Sequence, residues 1–477
     1  MPVLLWMRLS GLFIALVMSS PFVSALKTVL VLGGSYGGIA ASKFLAKELP
    51  EGYRVVLLER NRHVSVPFTS SLTDGLMPKA TRTTCTSYRD SASSHHTNPK
   101  PRKVIPYNNL FGPTPSSHRI IHGTATKLEA NKVVYIPARY SNTTPNECEQ
   151  SLEFDYLIYA LGAKLPGPID FWGAKSVYDG QSEKTINFDF DKDVVAAGAG
   201  YNGTKSAAIM FLQRAQKRLK EVESVLVVGG GALGIQFASD LKSLYHDKQI
   251  TLLHSRTQLL PRFPTKMHDE INKTMHSLDV NLILGQRLDL KSTLPENAEY
   301  DEQGRRVVKT ESGKRIYADL VLLCTGQTPN TSLMRSVVPR AVDKTGMIKV
   351  LRTMQVDSSD YQFVTQDGQA DETRTTVPHI YAIGDAADAF GAIKAGHTAH
   401  WQAEVASKNI VASILSRPLT AYEPGPPAIK ITLGLRHYAT IMGPEEILTV
   451  GDDGKDDLDA VGMWPYVGAE FERDREL

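Results

Sequence analysis

The chain has 477 residues, 42% apolar and 22% charged, with a net charge of +2. Those values describe a globular protein of two or three domains and argue against a nucleic-acid partner held by charge. Its three cysteines, Cys85, Cys148 and Cys324, form no C-x-x-C pair, which removes the redox dithiol of a flavin disulfide reductase and argues against a disulfide-stapled scaffold.

In chain order, Leu4 to Ala25 holds a single charge, Arg8, and ends in the small residues Val23-Ser24-Ala25. Residues 1–25 read as a signal peptide or a membrane anchor, and Leu9 to Ala25 is slightly short for a spanning helix. A mitochondrial presequence would carry more arginine. A secreted enzyme would lack reduced nicotinamide, which favours a protein anchored to an organelle or endomembrane. The secretory pathway and the mitochondrion are the alternatives. N-x-S/T triplets at Asn142, Asn202, Asn272 and Asn330 arise readily by chance.

Thr28 to Leu32 predicts a buried strand, Gly33 to Gly38 a sharp turn, and Ile39 to Leu49 a helix. This is a phosphate cradle, in which unpaired N–H groups at a helix N-terminus meet a pyrophosphate. Its fingerprint positions are Gly33, Ser35 and Gly38, with Tyr36 and Gly37 between them. Serine stands where glycine is usual, and its hydroxyl could itself contact phosphate. The next strand, Arg54 to Leu58, ends in Glu59, about 20 residues on, where a carboxylate accepts from a ribose hydroxyl. Arg60 would cover the adenine or face water.

Residues 81–117 are polar and read as loop, and His95-His96 lacks partners at metal-ligand spacing, so no metal site is expected. Gly123 to Leu128 and Lys132 to Ile136 read as strands. Asp155 to Ala163 is an apolar strand ending in a small-residue turn, and Pro166 to Pro168 suits a crossing between domains.

The strand–turn–helix pattern then repeats. Ser224 to Val228 leads into Gly229, Gly231 and Gly234, with Leu233 among them, and Ile235 to Leu244 follows as helix. The second strand, Gln249 to Leu253, ends in His254-Ser255-Arg256 rather than a carboxylate. Basic and hydroxyl residues suit a 2′-phosphate, which favours NADPH over NADH. Asp319 to Asn330 is a further strand with a turn at Gly326, and His379 to Ala387 another, ending in Gly384-Asp385. Taken alone, Asp385 reads equally as a helix N-cap. Gly451 to Asp459 lacks the terminal glutamate of a calcium loop. Trp464 to Phe471 would pack over a flavin mouth or lie on a membrane.

These pieces, in this order, resemble the apoptosis-inducing-factor-like FAD-dependent pyridine nucleotide oxidoreductases, the group that includes the ferroptosis suppressor proteins. Arg417 to Gly425 and the Leu-Leu-His-Ser-Arg strand end are similar to segments of that group. The resemblance runs from about Lys27 to Met442. It implies an α/β fold with an FAD domain, an inserted NAD(P)H domain and a small C-terminal region. The expected divisions are 26–165 and 328–417 for FAD, 166–327 for NAD(P)H, and 418–477.

The implied cofactors are FAD and either NADPH or NADH. FAD contacts fall at Gly33, Ser35, Tyr36, Gly37, Gly38, Glu59, Arg60, Ala125, Gly162, Gly384 and Asp385. NAD(P)H contacts fall at Gly229, Gly231, Leu233, Gly234, His254, Ser255, Arg256 and Gly326. Many relatives carry a glutamate where this chain has Gln236. In type II NADH dehydrogenases, glutamines border the quinone channel in a segment resembling Ala395 to Ala403, where this chain carries His397 and Trp401. The expected reaction passes hydride from NAD(P)H to FAD and electrons on to a quinone-like or other aromatic acceptor. No protein group is required for the first half, and Lys394 and His397 are the candidate catalytic residues. His400 lies nearby. A tailoring oxidoreductase and a redox-responsive signalling protein are the rival readings.

Overall fold

A computed structural model describes residues 26–65, 104–112, 116–138, 148–164, 203–206, 208–209, 219–358, 377–454 and 460–474. The N-terminal segment, Cys85, His95-His96, Asn142, Asn202 and Pro166 to Pro168 lie outside the described residues.

The first unit begins with β1 (Lys27–Leu32), α1 (Tyr36–Glu48) and β2 (Tyr53–Glu59). Helix α1 starts three residues before the expected Ile39, because the last glycines of the turn already lie in its first turn. A meander follows: β3 (Arg119–Leu128), β4 (Lys132–Pro137) and β5 (Gln150–Glu153), then β6 (Tyr156–Tyr159). Five of the six residues of β1 are buried. That is the pattern of a parallel strand covered on both faces.

The second unit repeats the opening with β7 (Ser224–Val228), α2 (Ala232–Leu244), β8 (Gln249–Leu253), α3 (Thr265–Ser277), β9 (Asn281–Ile283) and β10 (Leu320–Leu323). Its four strands are all parallel, in the order β9-β8-β7-β10. The chain then returns to the first unit through β11 (Ile380–Ala382) and the long α4 (Gly396–Ile414). The first sheet accordingly runs β11-β6-β1-β2-β3-β4-β5. Where the chain leaves and re-enters the first unit, Ala163–Lys164 and Thr328–Pro329 pair antiparallel.

In each sheet the opening strand lies between its two neighbours in space, β2 and β6 around β1, and β8 and β10 around β7. The strand order reverses there, and the crevice at the strands' carboxyl ends is where open α/β sheets bind ligands.

The last sheet, β12 (Ile429–Thr432), β13 (His437–Met442) and β14 (Ile447–Asp452), is antiparallel. Ile431, Leu433, Ala439 and Ile441 join Phe237, Leu241, Met267 and Ile271 in the core of the second unit. Trp464, Val467 and Ala469 instead join the core of the first. The C-terminal region therefore braces both units. No helix among the described residues is long and apolar enough to cross a membrane.

Candidate dinucleotide and electron-transfer site

The first cradle is built at close quarters. Gly33 has a φ of +97°, and a Cβ there would meet the Ala160 carbonyl oxygen at 2.5 Å. A Cβ on Gly38 would lie 1.7 Å from the Gly33 carbonyl oxygen. Only glycine permits this turn and this approach of α1 to β1. Gly37 faces Ile383 and Ala399, which lets α1 lie tightly on α4. Ser35 is the exposed N-cap of α1, and its side chain makes no capping bond. Its hydroxyl is left to whatever enters the cradle.

Glu59 lies at the end of β2. The Gly34 N–H donates to Oε2 at 2.7 Å and the Asn61 N–H to Oε1 at 2.9 Å. Burial raises its pKa, against the lowering effect of those N–H groups and Arg60. Both oxygens keep a lone pair for a ribose hydroxyl. Arg60 is exposed. Ala125 stands at a bulge of β3, beyond His122, which pairs with Glu59. Gly162 has a φ of +61° and an open Cβ direction, and its carbonyl accepts from the Asn330 N–H at 2.9 Å.

The second cradle repeats the geometry of the first. Gly229 has a φ of +123°, and its Cβ would meet the Cys324 carbonyl oxygen at 2.6 Å. A Cβ on Gly234 would stand 1.9 Å from the Gly229 carbonyl oxygen. Where Glu59 takes the Gly34 N–H, His254 Nδ1 takes the Gly230 N–H at 3.0 Å. Even the strand bases correspond: Asp155 accepts from the Thr28 N–H and Asp319 from the Ser224 N–H, each at 2.8 Å.

A Cβ on Gly231 or Gly326 would find no heavy atom within 4 Å, which is the open space a dinucleotide needs beside a helix N-terminus. Leu233 is half-buried on the first turn of α2, Ser255 is half-exposed and Arg256 exposed. His254 differs from the expected direct contact. Nδ1 is engaged by Gly230 and Nε2 is buried, so its polar atoms face the protein. Gln236, which replaces the relatives' glutamate, donates to Thr432 Oγ1 at 2.9 Å and so holds the C-terminal sheet.

β11 delivers Gly384 and Asp385 to the first cradle in a short 3-10 turn, with Asp385 inside the turn rather than capping a longer helix. Burial raises the Asp385 pKa, while Lys394 lowers it. No hydrogen bond ties this carboxylate to the other described residues. Lys394 itself is exposed. His397, also exposed, sets its ring edge-on to Trp401 at 5.4 Å, and burial lowers its pKa.

Three contributors are not predicted individually from the sequence, although Gln402 lies within Ala395 to Ala403 and Tyr466 within Trp464 to Phe471. Gln402 Oε1 accepts the Gly384 N–H at 2.7 Å. The Tyr107 hydroxyl donates to the Gly34 carbonyl. The Tyr466 hydroxyl donates to the Tyr36 carbonyl at 2.8 Å, with the two rings 5.9 Å apart. Cys324 is half-buried, burial pushes its thiol pKa up, and Cys148 is exposed elsewhere.

Two glycine cradles of matching geometry, one unit inserted in the other, define a two-dinucleotide flavoprotein fold. The chain belongs to the pyridine nucleotide-disulphide oxidoreductase family, whose profile matches residues 27–403. It is an oxidoreductase, and its cofactors are FAD and a pyridine nucleotide. It is 36% identical to Fe-regulated protein 8 of Mycosarcoma maydis, over 93% of this chain and 95% of that one. It is 30% identical to ferroptosis suppressor protein 1 of Taeniopygia guttata, over 85% and 86%. Among solved structures, the water-forming NADH oxidase of Lactobacillus brevis has a TM-score of 0.56 at 17% identity, covering 88% of this chain and 76% of that one.

Proposed function

We propose that the protein oxidises NADPH through FAD, without a redox-active disulfide, and reduces a flat quinone-like or other aromatic acceptor. The observation that carries this reading is the pairing of two glycine cradles of matching geometry in one chain. The bound flavin supplies hydride acceptance and electron release. The chain's own residues bind and orient the two nucleotides: the first turns of α1 and α2 hold the pyrophosphates, and Glu59 and Asp385 accept from hydroxyls. The acceptor reading is supported by Trp401, 47% exposed beside His397 on the first turns of α4, just after Gly384-Asp385. The relationship to ferroptosis suppressor protein 1 supports it further. Arg256 at the end of β8 supports NADPH over NADH. Residues 1–25 would tether the enzyme to a membrane.

The test is NADPH and NADH oxidation by the flavin-loaded protein with a panel of quinones, ferricyanide and oxygen. Turnover fastest with NADPH and a quinone is expected. Bound flavin with no turnover on any acceptor would overturn the enzyme reading in favour of a signalling role. For the tether, fractionation with protease protection should find the protein on membranes.

A further inference from the structure

His254 offers a way to choose between the two nicotinamide coenzymes, an inference that rests on the reading of the second cradle as their site. The first cradle is an internal control. There, a strand-end carboxylate both secures the glycine turn and brings negative charge to the nucleotide ribose. In the second, His254 Nδ1 accepts the Gly230 N–H at 3.0 Å. A nitrogen that accepts carries no proton, so this bond requires the neutral ring with its proton on Nε2.

The residue is rigidly placed. Its N–H donates to the Ile283 carbonyl at 2.8 Å, and its carbonyl accepts from the Gln286 N–H at 3.0 Å. A Cβ on Gly230 would stand 2.6 Å from the imidazole, so turn and ring are packed directly together. Arg256, two residues on, has its carbonyl held by the Gly285 N–H at 3.0 Å.

We infer that His254 is a coenzyme-selecting positioning residue: it secures the glycine turn as a neutral acceptor and keeps the strand end free of the carboxylate that would hold a 2′-hydroxyl and repel a 2′-phosphate. Arg256 is then the charge that a 2′-phosphate meets.

The same bond makes binding sensitive to acid. A second proton on the ring sets N–H against the Gly230 N–H and releases the turn. The charged group acting on the ring is Arg256, which together with burial disfavours that proton, while the Gln258 backbone favours it. The first turn of α2 contains no acid, and Gly230, Leu259 and Ile283 around the ring are neutral.

The test is calorimetric binding of NADP⁺ and NAD⁺ to the FAD-loaded full chain at pH 8 and pH 5.5, for wild type, His254→Glu and His254→Gln. Wild type is expected to prefer NADP⁺ and to lose affinity at the lower pH. His254→Glu should shift the ratio of the two Kd values towards NAD⁺ by roughly tenfold to a hundredfold, the range of a charged hydrogen bond. His254→Gln, whose amide oxygen can still accept from Gly230, should keep the NADP⁺ preference but lose the acid dependence of binding NAD⁺, which has no 2′-phosphate to titrate between the two pH values.

An unchanged ratio in FAD-loaded His254→Glu would overturn the inference, as would an undiminished acid dependence of NAD⁺ binding in His254→Gln or an NAD⁺ preference in wild type. Should His254→Glu fail to load flavin, the His254→Gln comparison decides. Wild type that holds FAD but binds neither nucleotide would sink the reading of the second cradle itself, and the inference with it.

Discussion

Glycines of one fingerprint do different work, and substitution separates the roles. Gly38 and Gly234 are closed by the protein, since a Cβ there would lie 1.7 Å and 1.9 Å from a carbonyl oxygen of the preceding turn. Gly231 is open and has an ordinary φ of −85°. Gly38→Ala must push α1 off β1, so it is expected to lower both the melting temperature and the flavin content, read from the visible spectrum. Gly231→Ala adds a methyl group only to empty space. Its folding stability should change by no more than about 0.5 kcal/mol. Its KM for NADPH should nevertheless rise, because that methyl group occupies the approach path of the pyrophosphate. A Gly231→Ala protein with unaltered coenzyme affinity would remove the second turn from the binding site.

At the scale of elements, the segment after β14 fastens the first cradle from outside. Trp464 is 1% exposed, with its ring edge-on to Phe471 at 5.1 Å. Two residues on, Tyr466 reaches the Tyr36 carbonyl through its hydroxyl and accepts Lys43 Nζ on its own carbonyl at 3.1 Å. Trp464→Ala should cost about 3–5 kcal/mol through the cavity it leaves, measured by denaturant unfolding of the holoprotein. Tyr466→Phe removes only the hydrogen bond, about 1 kcal/mol, and should show mainly as weaker FAD retention. The sequence expects Trp464 to Phe471 over a flavin mouth or on a membrane, but it cannot name the residues Tyr466 meets, since Tyr36 and Lys43 lie more than 400 positions away. The cradles were legible because strand, turn and helix are contiguous and their spacing is fixed by local geometry. Glu59 was legible for the same reason. The role of His254 was not: a strand-end histidine reads as a ligand contact until the Gly230 N–H is found on its Nδ1. Likewise Gln236 shows only as a departure from a pattern, and its bond to Thr432 depends on where the C-terminal sheet packs.

Across the whole molecule, covered histidines set the response to acid. Burial, with Lys205 and His122 nearby, pushes the pKa of His63 down to about 3, from an ordinary 6.5. Burial also lowers His118, His122 and His254. Between its folded value and 6.5, such a histidine binds fewer protons folded than unfolded, so falling pH favours the unfolded chain. Its stability contribution is complete above 6.5 and drains away as the pH drops towards the folded value. For a side chain as covered as His63 the loss is about 1.4 kcal/mol per pH unit over that window. Glu59 and Asp385 act in the opposite sense. Their pKa values are raised by burial, so they oppose folding above the ordinary carboxyl range, and that opposition fades only as the pH falls through their folded values. The histidines outnumber these two carboxyls. The melting temperature of the FAD-loaded protein is therefore expected to fall steadily from pH 7.5 to pH 5.5. A flat or rising profile over that interval would mean that the imidazoles are already charged in the folded protein, which the Gly230-to-His254 bond forbids for at least one of them.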